Sequence, residues 1–307
     1  MAIVKSDAVN RCIRDAAREG AAPGGLSEKI LERFLRTGDR TWNGAGSGRF
    51  TLAQFKEDEE YTRAAKTALR TLVIQLGNLL PEEARAAPSV SPEAIRRRIE
   101  PMVNGLVLAA QREAALREIV AKTFVLNFLG AKAAIEAELS TCFTGSAWRI
   151  LWAFFEDHGL KPKRVIVGCD GLAGDFAHVR WSAYETKDPY SDVVVHEGAH
   201  MLHYLKPRHY GLRERRHQER FVDVEFVHRE LFAFTCEAYS RVVQYDGRSS
   251  RVAFAEKMRE GAFSFPRAHL DEVADLVLSA ARARNGWRVI REATEIPRTR
   301  RRAEPST

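Results

Sequence analysis

Cysteine is scarce in this chain. Four in 307 residues (Cys12, Cys142, Cys169 and Cys236) are widely spaced, and no two stand at metal-finger spacing. That density at this length argues against a disulfide framework and for reduced, mostly buried thiols. Long hydrophobic runs are missing too: none approaches the roughly 20 residues a membrane helix needs. Lys5, Asp7, Arg11 and Arg14 interrupt any signal-peptide core. Internal repeats are absent, and no strand-like alternation occurs before about residue 160. Together these absences predict a cytoplasmic protein with no membrane partner.

What is present suits one large or two medium domains, since 45% of the residues are hydrophobic. The formal net charge is +7 and the pI near 9.3. Two basic clusters carry much of it: 208–220, with Arg213, Arg215 and Arg216, and the tail around Arg298, Arg300, Arg301 and Arg302. The tail lacks apolar periodicity and reads as a basic disordered segment. Such charge allows a nucleic-acid or acidic partner without selecting one.

The first half reads as consecutive helices. Residues 4–18 are amphipathic and end at Gly20; Ser27 caps a short helix to about Leu35; a long pattern fills 51–80. Another helix opens at Ser91-Pro92-Glu93, is interrupted or kinked by Pro101, and continues to Leu129, where Gly130 stops it. In the second half, 146–158 is a strongly apolar helix, 163–169 a short buried strand, and 170–176 a turn. Residues 177–185 alternate as a strand, with Val179 on one face and His178 and Arg180 on the other. Were this strand a sheet edge, an extended peptide could pair with it. Helices are expected at 251–260 and 268–285, with a docked strand or turn at 287–290.

The decisive stretch is 191–204, which contains His196-Glu197-Gly198-Ala199-His200. Positions i and i+4 share a helix face, so both imidazoles can address one zinc ion while Glu197 reaches its water. Ser191 or Asp192 can cap this helix, and Val195, Ala199 and Leu202 form a neighbouring apolar stripe. By composition alone, such a string should arise by chance with a probability of roughly 0.02. His203 lies seven residues past His196, roughly 10 Å along the axis at 1.5 Å per residue, and is expected in the cleft or behind a ligand.

A third protein ligand must come from elsewhere, because Lys206 and His203 break the pattern with a third histidine six residues after His200. The helix expected over 222–245 carries Glu230 and Glu237 on one face beside Val227, Leu231, Phe234 and Ala238. Buried carboxylates there need a partner, and a metal supplies one. The segment E-L-F-A-F-T-C-E, with the H-E-x-x-H helix, resembles the gluzincin peptidases of the lethal-factor and Mlc-titration-factor type over about 163–245. Leu231 stands where that family usually has an aromatic. The resemblance implies Glu230 as third zinc ligand, with Glu237 behind a histidine or as an alternative ligand. Glu225, Glu219 and His209 are further ligand candidates.

The expected fold is α+β, mostly α: a helical N-terminal domain (1–140), a zincin-like catalytic domain with a small sheet (141–292) and the tail (293–307). The expected activity is zinc-dependent hydrolysis of a peptide or protein, with one Zn2+ per chain held by His196, His200 and Glu230. Glu197 is the expected general base, and His203, Tyr210 and Tyr239 are transition-state or cleft candidates. Arg241, four residues after Glu237, is read as its helix-surface ion partner. The other reading is a basic protein binding nucleic acid or an assembly, with a structural or idle zinc site.

Overall fold

The computed structural model describes residues 2–21, 27–38, 52–87, 89–141, 144–162, 171–173, 176–212, 218–258, 260 and 270–296. In chain order, α1 (Ala2–Gly20), α2 (Glu28–Thr37), α3 (Leu52–Gly77), α4 (Glu82–Ala86), α5 (Pro92–Leu106) and α6 (Arg112–Ala121) precede β1 (Thr123–Leu126). Next come α7 (Phe128–Ser140), α8 (Thr144–Asp157), β2 (Gly171–Ala173), β3 (Ala177–Arg180) and the single turn α9 (Trp181–Tyr184). The last elements are α10 (Val193–Tyr204), α11 (Arg229–Val242), α12 (Arg248–Lys257), α13 (Leu270–Arg282) and α14 (Gly286–Thr294). The protein is α+β and mostly α, and no described helix is long and apolar enough to cross a membrane.

Two compact units divide the chain, but not at residue 140. One comprises Met1–Ser89 and Phe124–Cys169, the other Val90–Thr123 and Asp170–Thr307. The first unit packs α1, α2, α3, α7 and α8 around Ile13, Leu31, Phe34, Leu69, Leu72, Trp152 and Phe155. Ser27 caps α2 by accepting from the Lys29 N–H at 3.3 Å. The apolar helix α8 belongs here because both its indoles, Trp148 and Trp152, donate to the Leu35 carbonyl at 2.9 Å, satisfying polar atoms that burial would otherwise orphan.

The second unit keeps α5 and α6 because they pack on the H-E-x-x-H helix α10: Ile99, Met102 and Ile119 lie against Gly198. Pro101 sits inside α5 without ending it. Its 293–296 end is docked too: Glu295 bridges Val224, and Ile296 N–H donates to Asp223. The basic tail beyond, the 163–169 strand, and Arg213, Arg215 and Arg216 lie outside the described residues.

Several local expectations change. Thr123–Leu126 is a strand, not helix, and Gly130 lies in the first turn of α7 instead of stopping a helix. Asn127 caps that turn by accepting from Gly130 N–H at 2.7 Å. A Cβ at 130 would strike the Val125 carbonyl, so glycine serves close approach there. Strand β3 pairs antiparallel with β2, His178 opposite Leu172. It stops at Arg180, its His178 is buried with Ala177 and Val179, and Trp181–Tyr184 turns helical as Trp181 stacks on Tyr184. Residues 287–290 belong to helix α14.

Candidate metal centre

Helix α10 is buried along nearly its whole length, from Val194 to His203. Its N-cap Asp192 makes no side-chain cap bond. The start of the helix is tied instead to α11, because Ser191 Oγ (2.6 Å) and Asp192 N–H (2.8 Å) both donate to Oε1 of Glu237. The Asp192 carboxylate turns to Arg98 (3.4 Å) and Arg241 (3.9 Å). Burial raises the Asp192 carboxyl's pKa, and these two cations oppose the rise. Arg241 therefore pairs across to Asp192 and not along its own helix to Glu237.

Helix α11 begins at Arg229, later than the sequence pattern suggests. Phe226–His228 form a 3-10 turn with Phe226 and Val227 exposed (75% and 72%), so Val227 is no part of the apolar stripe. The buried face runs through Phe232, Ala233, Cys236 and Tyr239, with Leu231 and Phe234 half-buried. Phe234 braces His196, their ring centroids 4.5 Å apart. Glu230 falls in the first turn, where the helix dipole favours a carboxylate, and its side chain is 55% exposed.

The structure brings His196, His200 and Glu230 together: one potential ligand atom from each lies within 4.8 Å of the others, an arrangement that could hold a metal ion. Nε2 of His196 and Nε2 of His200 are 3.2 Å apart, and the Glu230 carboxylate is 3.8 Å from the first and 3.5 Å from the second. Donors about 2.0–2.2 Å from a tetrahedral ion such as zinc lie about 3.3 Å apart, so the spacing fits. The ring partners fit as well. Nδ1 of His196 faces Oε2 of Glu237 at 3.1 Å, and Nδ1 of His200 faces Nε2 of His203 at 2.9 Å. With each Nδ1–H donated outward, both Nε2 lone pairs converge. Two lone pairs that close repel unless a cation or proton lies between them.

Glu237, seven residues past Glu230, thus meets the His196 nitrogen opposite the one that faces His200 and Glu230. Glu197 is buried, its Oε2 has no hydrogen-bond partner, and a Cβ on Gly171 would overlap its carboxylate. Burial pushes Glu197 up to about 7; the His196 charge opposes this, while Glu230 and Glu237 add to it. Burial lowers His200 against the pull of Glu230, and takes His203 down to about 3, with His200 and Arg229 adding. At His196 burial works downward, yet the carboxylates of Glu237, Glu197 and Glu230 leave a net rise.

Two sequence candidates take other places. Tyr210 accepts from Lys122 Nζ at 3.1 Å and stacks on Phe221. Tyr239 packs edge-on to Trp287 and against Gly286. Sequence reasoning missed Arg98, Gly171 and Arg229; only Arg229, adjoining Glu230, had a local signal. No protein-family model, no curated protein and no solved structure matches this chain.

Proposed function

We propose that the protein is a zinc-dependent metallopeptidase of gluzincin type, with His196, His200 and Glu230 as ligands and Glu197 as general base. The observation that carries this reading is the convergence of two imidazole nitrogens and one carboxylate beside a buried glutamate with a free oxygen. Three donors, one of them half-exposed, suit an open site that admits water and substrate better than a closed structural one.

Zinc bound there would supply Lewis acidity and acidify a water. The rest of the work falls to the chain. Glu237 and His203 fix the tautomers of His196 and His200, keeping both Nε2 atoms unprotonated. Oε2 of Glu197 takes the proton of the attacking water and delivers it to the leaving amine nitrogen. In the metal-free protein burial raises its pKa to about 7, which shows how strongly this pocket favours the protonated carboxyl that must pass a proton on. Packing against Gly171 holds that carboxylate in place.

The test is hydrolysis of a mixed peptide library by zinc-loaded protein and by Glu197→Gln. The reading expects cleavage by wild type and a fall of roughly 10²–10⁴-fold in the variant. Equal cleavage by both would refute the assignment of Glu197.

A further inference from the structure

Arg229 stands immediately before Glu230, yet no carboxylate pairs with it among the described residues. Adjacent helix positions project in different directions, so Glu230 turns to His196 and His200 while Arg229 turns to Tyr204 beside them. The guanidinium lies 4.6 Å from the ring centre of Phe226 and 5.4 Å from that of Tyr204. Tyr204 is the last residue of α10, and its ring also neighbours that of His200, with centroids 6.5 Å apart. One aromatic ring therefore links the cation to the metal-facing histidine. Nε of Arg229 is buried and makes no hydrogen bond.

An arginine stacked on exposed rings is pre-organised, since its planar fork keeps its geometry while its donors stay available. Nε has no open surface, so a partner from solution meets the terminal N–H groups of this half-buried side chain. The planar group that matches a guanidinium fork is a carboxylate. Beside it, Phe226 and Val227 expose apolar surface, which a protein gains from only if something covers it.

We propose that Arg229 is a specificity-determining residue: it receives a carboxylate of the peptide substrate, with Phe226 and Val227 forming the apolar wall beside it. The proposal rests on the peptidase reading above. Set one ring's width from His200, Arg229 addresses a group flanking the scissile bond and not the reacting carbonyl. The carboxylate is either the C-terminal one of a short peptide or the side chain of Asp or Glu.

The experiment measures binding, so it does not depend on turnover. Zinc-loaded Glu197→Gln protein is titrated into fluorescent randomised octapeptide pools made as free acids, as amides, and as amides with one fixed Asp. About tenfold tighter binding of one carboxylate pool over the plain amide is expected. Tighter free acids identify the C-terminus as the source, and tighter Asp pools the side chain. Adding Arg229→Gln should collapse the ratio to near one, while Arg229→Lys should keep part of it; circular dichroism checks the fold of both. Equal binding of all pools, binding of none, or a ratio that survives Arg229→Gln would overturn the proposal. If the pools bind as expected but wild type cleaves none of them, the peptidase reading fails instead.

Discussion

Oε2 of Glu237 stands 3.1 Å from Nδ1 of His196, while Oε1 of the same carboxylate accepts from Ser191 and Asp192 at the start of helix α10. One side chain therefore orients the His196 ring and anchors the helix that carries it. Glu237→Gln separates the two roles. The amide oxygen can still accept from Ser191 and Asp192, but its NH2 donates to Nδ1 and drives the ring proton to Nε2. Zinc affinity should fall about 10–100-fold, with thermal stability of the chelated protein changed far less; competition titration against a chelator measures the first and calorimetry the second.

His203 plays the matching part for His200 with a neutral ring in place of a carboxylate. His203→Leu removes the acceptor and should weaken zinc about 10–100-fold, whereas His203→Gln, which keeps one, should recover part of that loss. The same titration decides.

Glu197 makes stability depend on pH in the zinc-free protein. Its folded pKa, about 7, lies above its ordinary 4.5, so the protonated folded state is favoured. That contribution is complete below pH 4.5 and disappears as pH rises through 7. Glu197→Gln mimics the protonated form. With EDTA present, it should exceed wild type in stability by on the order of 3 kcal/mol at pH 8, and the gap should close below pH 4.5. Urea titrations at several pH values check the sign.

Gly171→Ala should act at a distance in sequence. Its Cβ meets the buried Glu197 carboxylate, so about 1–3 kcal/mol of stability and a larger share of hydrolysis should be lost together. Retained activity would show that Glu197 can shift without consequence.

Much of this site is visible in sequence because its parts are local. His196, Glu197 and His200 fall within five residues, and the i+4 geometry of one helix fixes them. On α11 the seven-residue spacing puts Glu230 and Glu237 on one face, and only the resemblance to gluzincin peptidases separates their roles. The misreadings share a cause. Residues 123–126 continue an apolar helical pattern, and only Asn127 capping Gly130 shows where a new helix starts. Val227 fits the stripe of α11, but the chain has not yet entered the helix there. Arg98 meets Asp192 across 94 positions, and Gly171 meets Glu197 through a sheet; no periodicity encodes either contact. His203 was readable as a cleft neighbour, its role fixed only by the direction of the His200 ring.

The most direct test is metal content by mass spectrometry of purified wild type, Glu230→Gln and Glu237→Gln. One zinc per chain in wild type, lost in Glu230→Gln and retained at saturating zinc in Glu237→Gln, is the expected result. A wild type that holds no metal, or a Glu230→Gln variant that keeps its zinc as tightly as wild type, would contradict the three-ligand site on which the proposed peptidase depends.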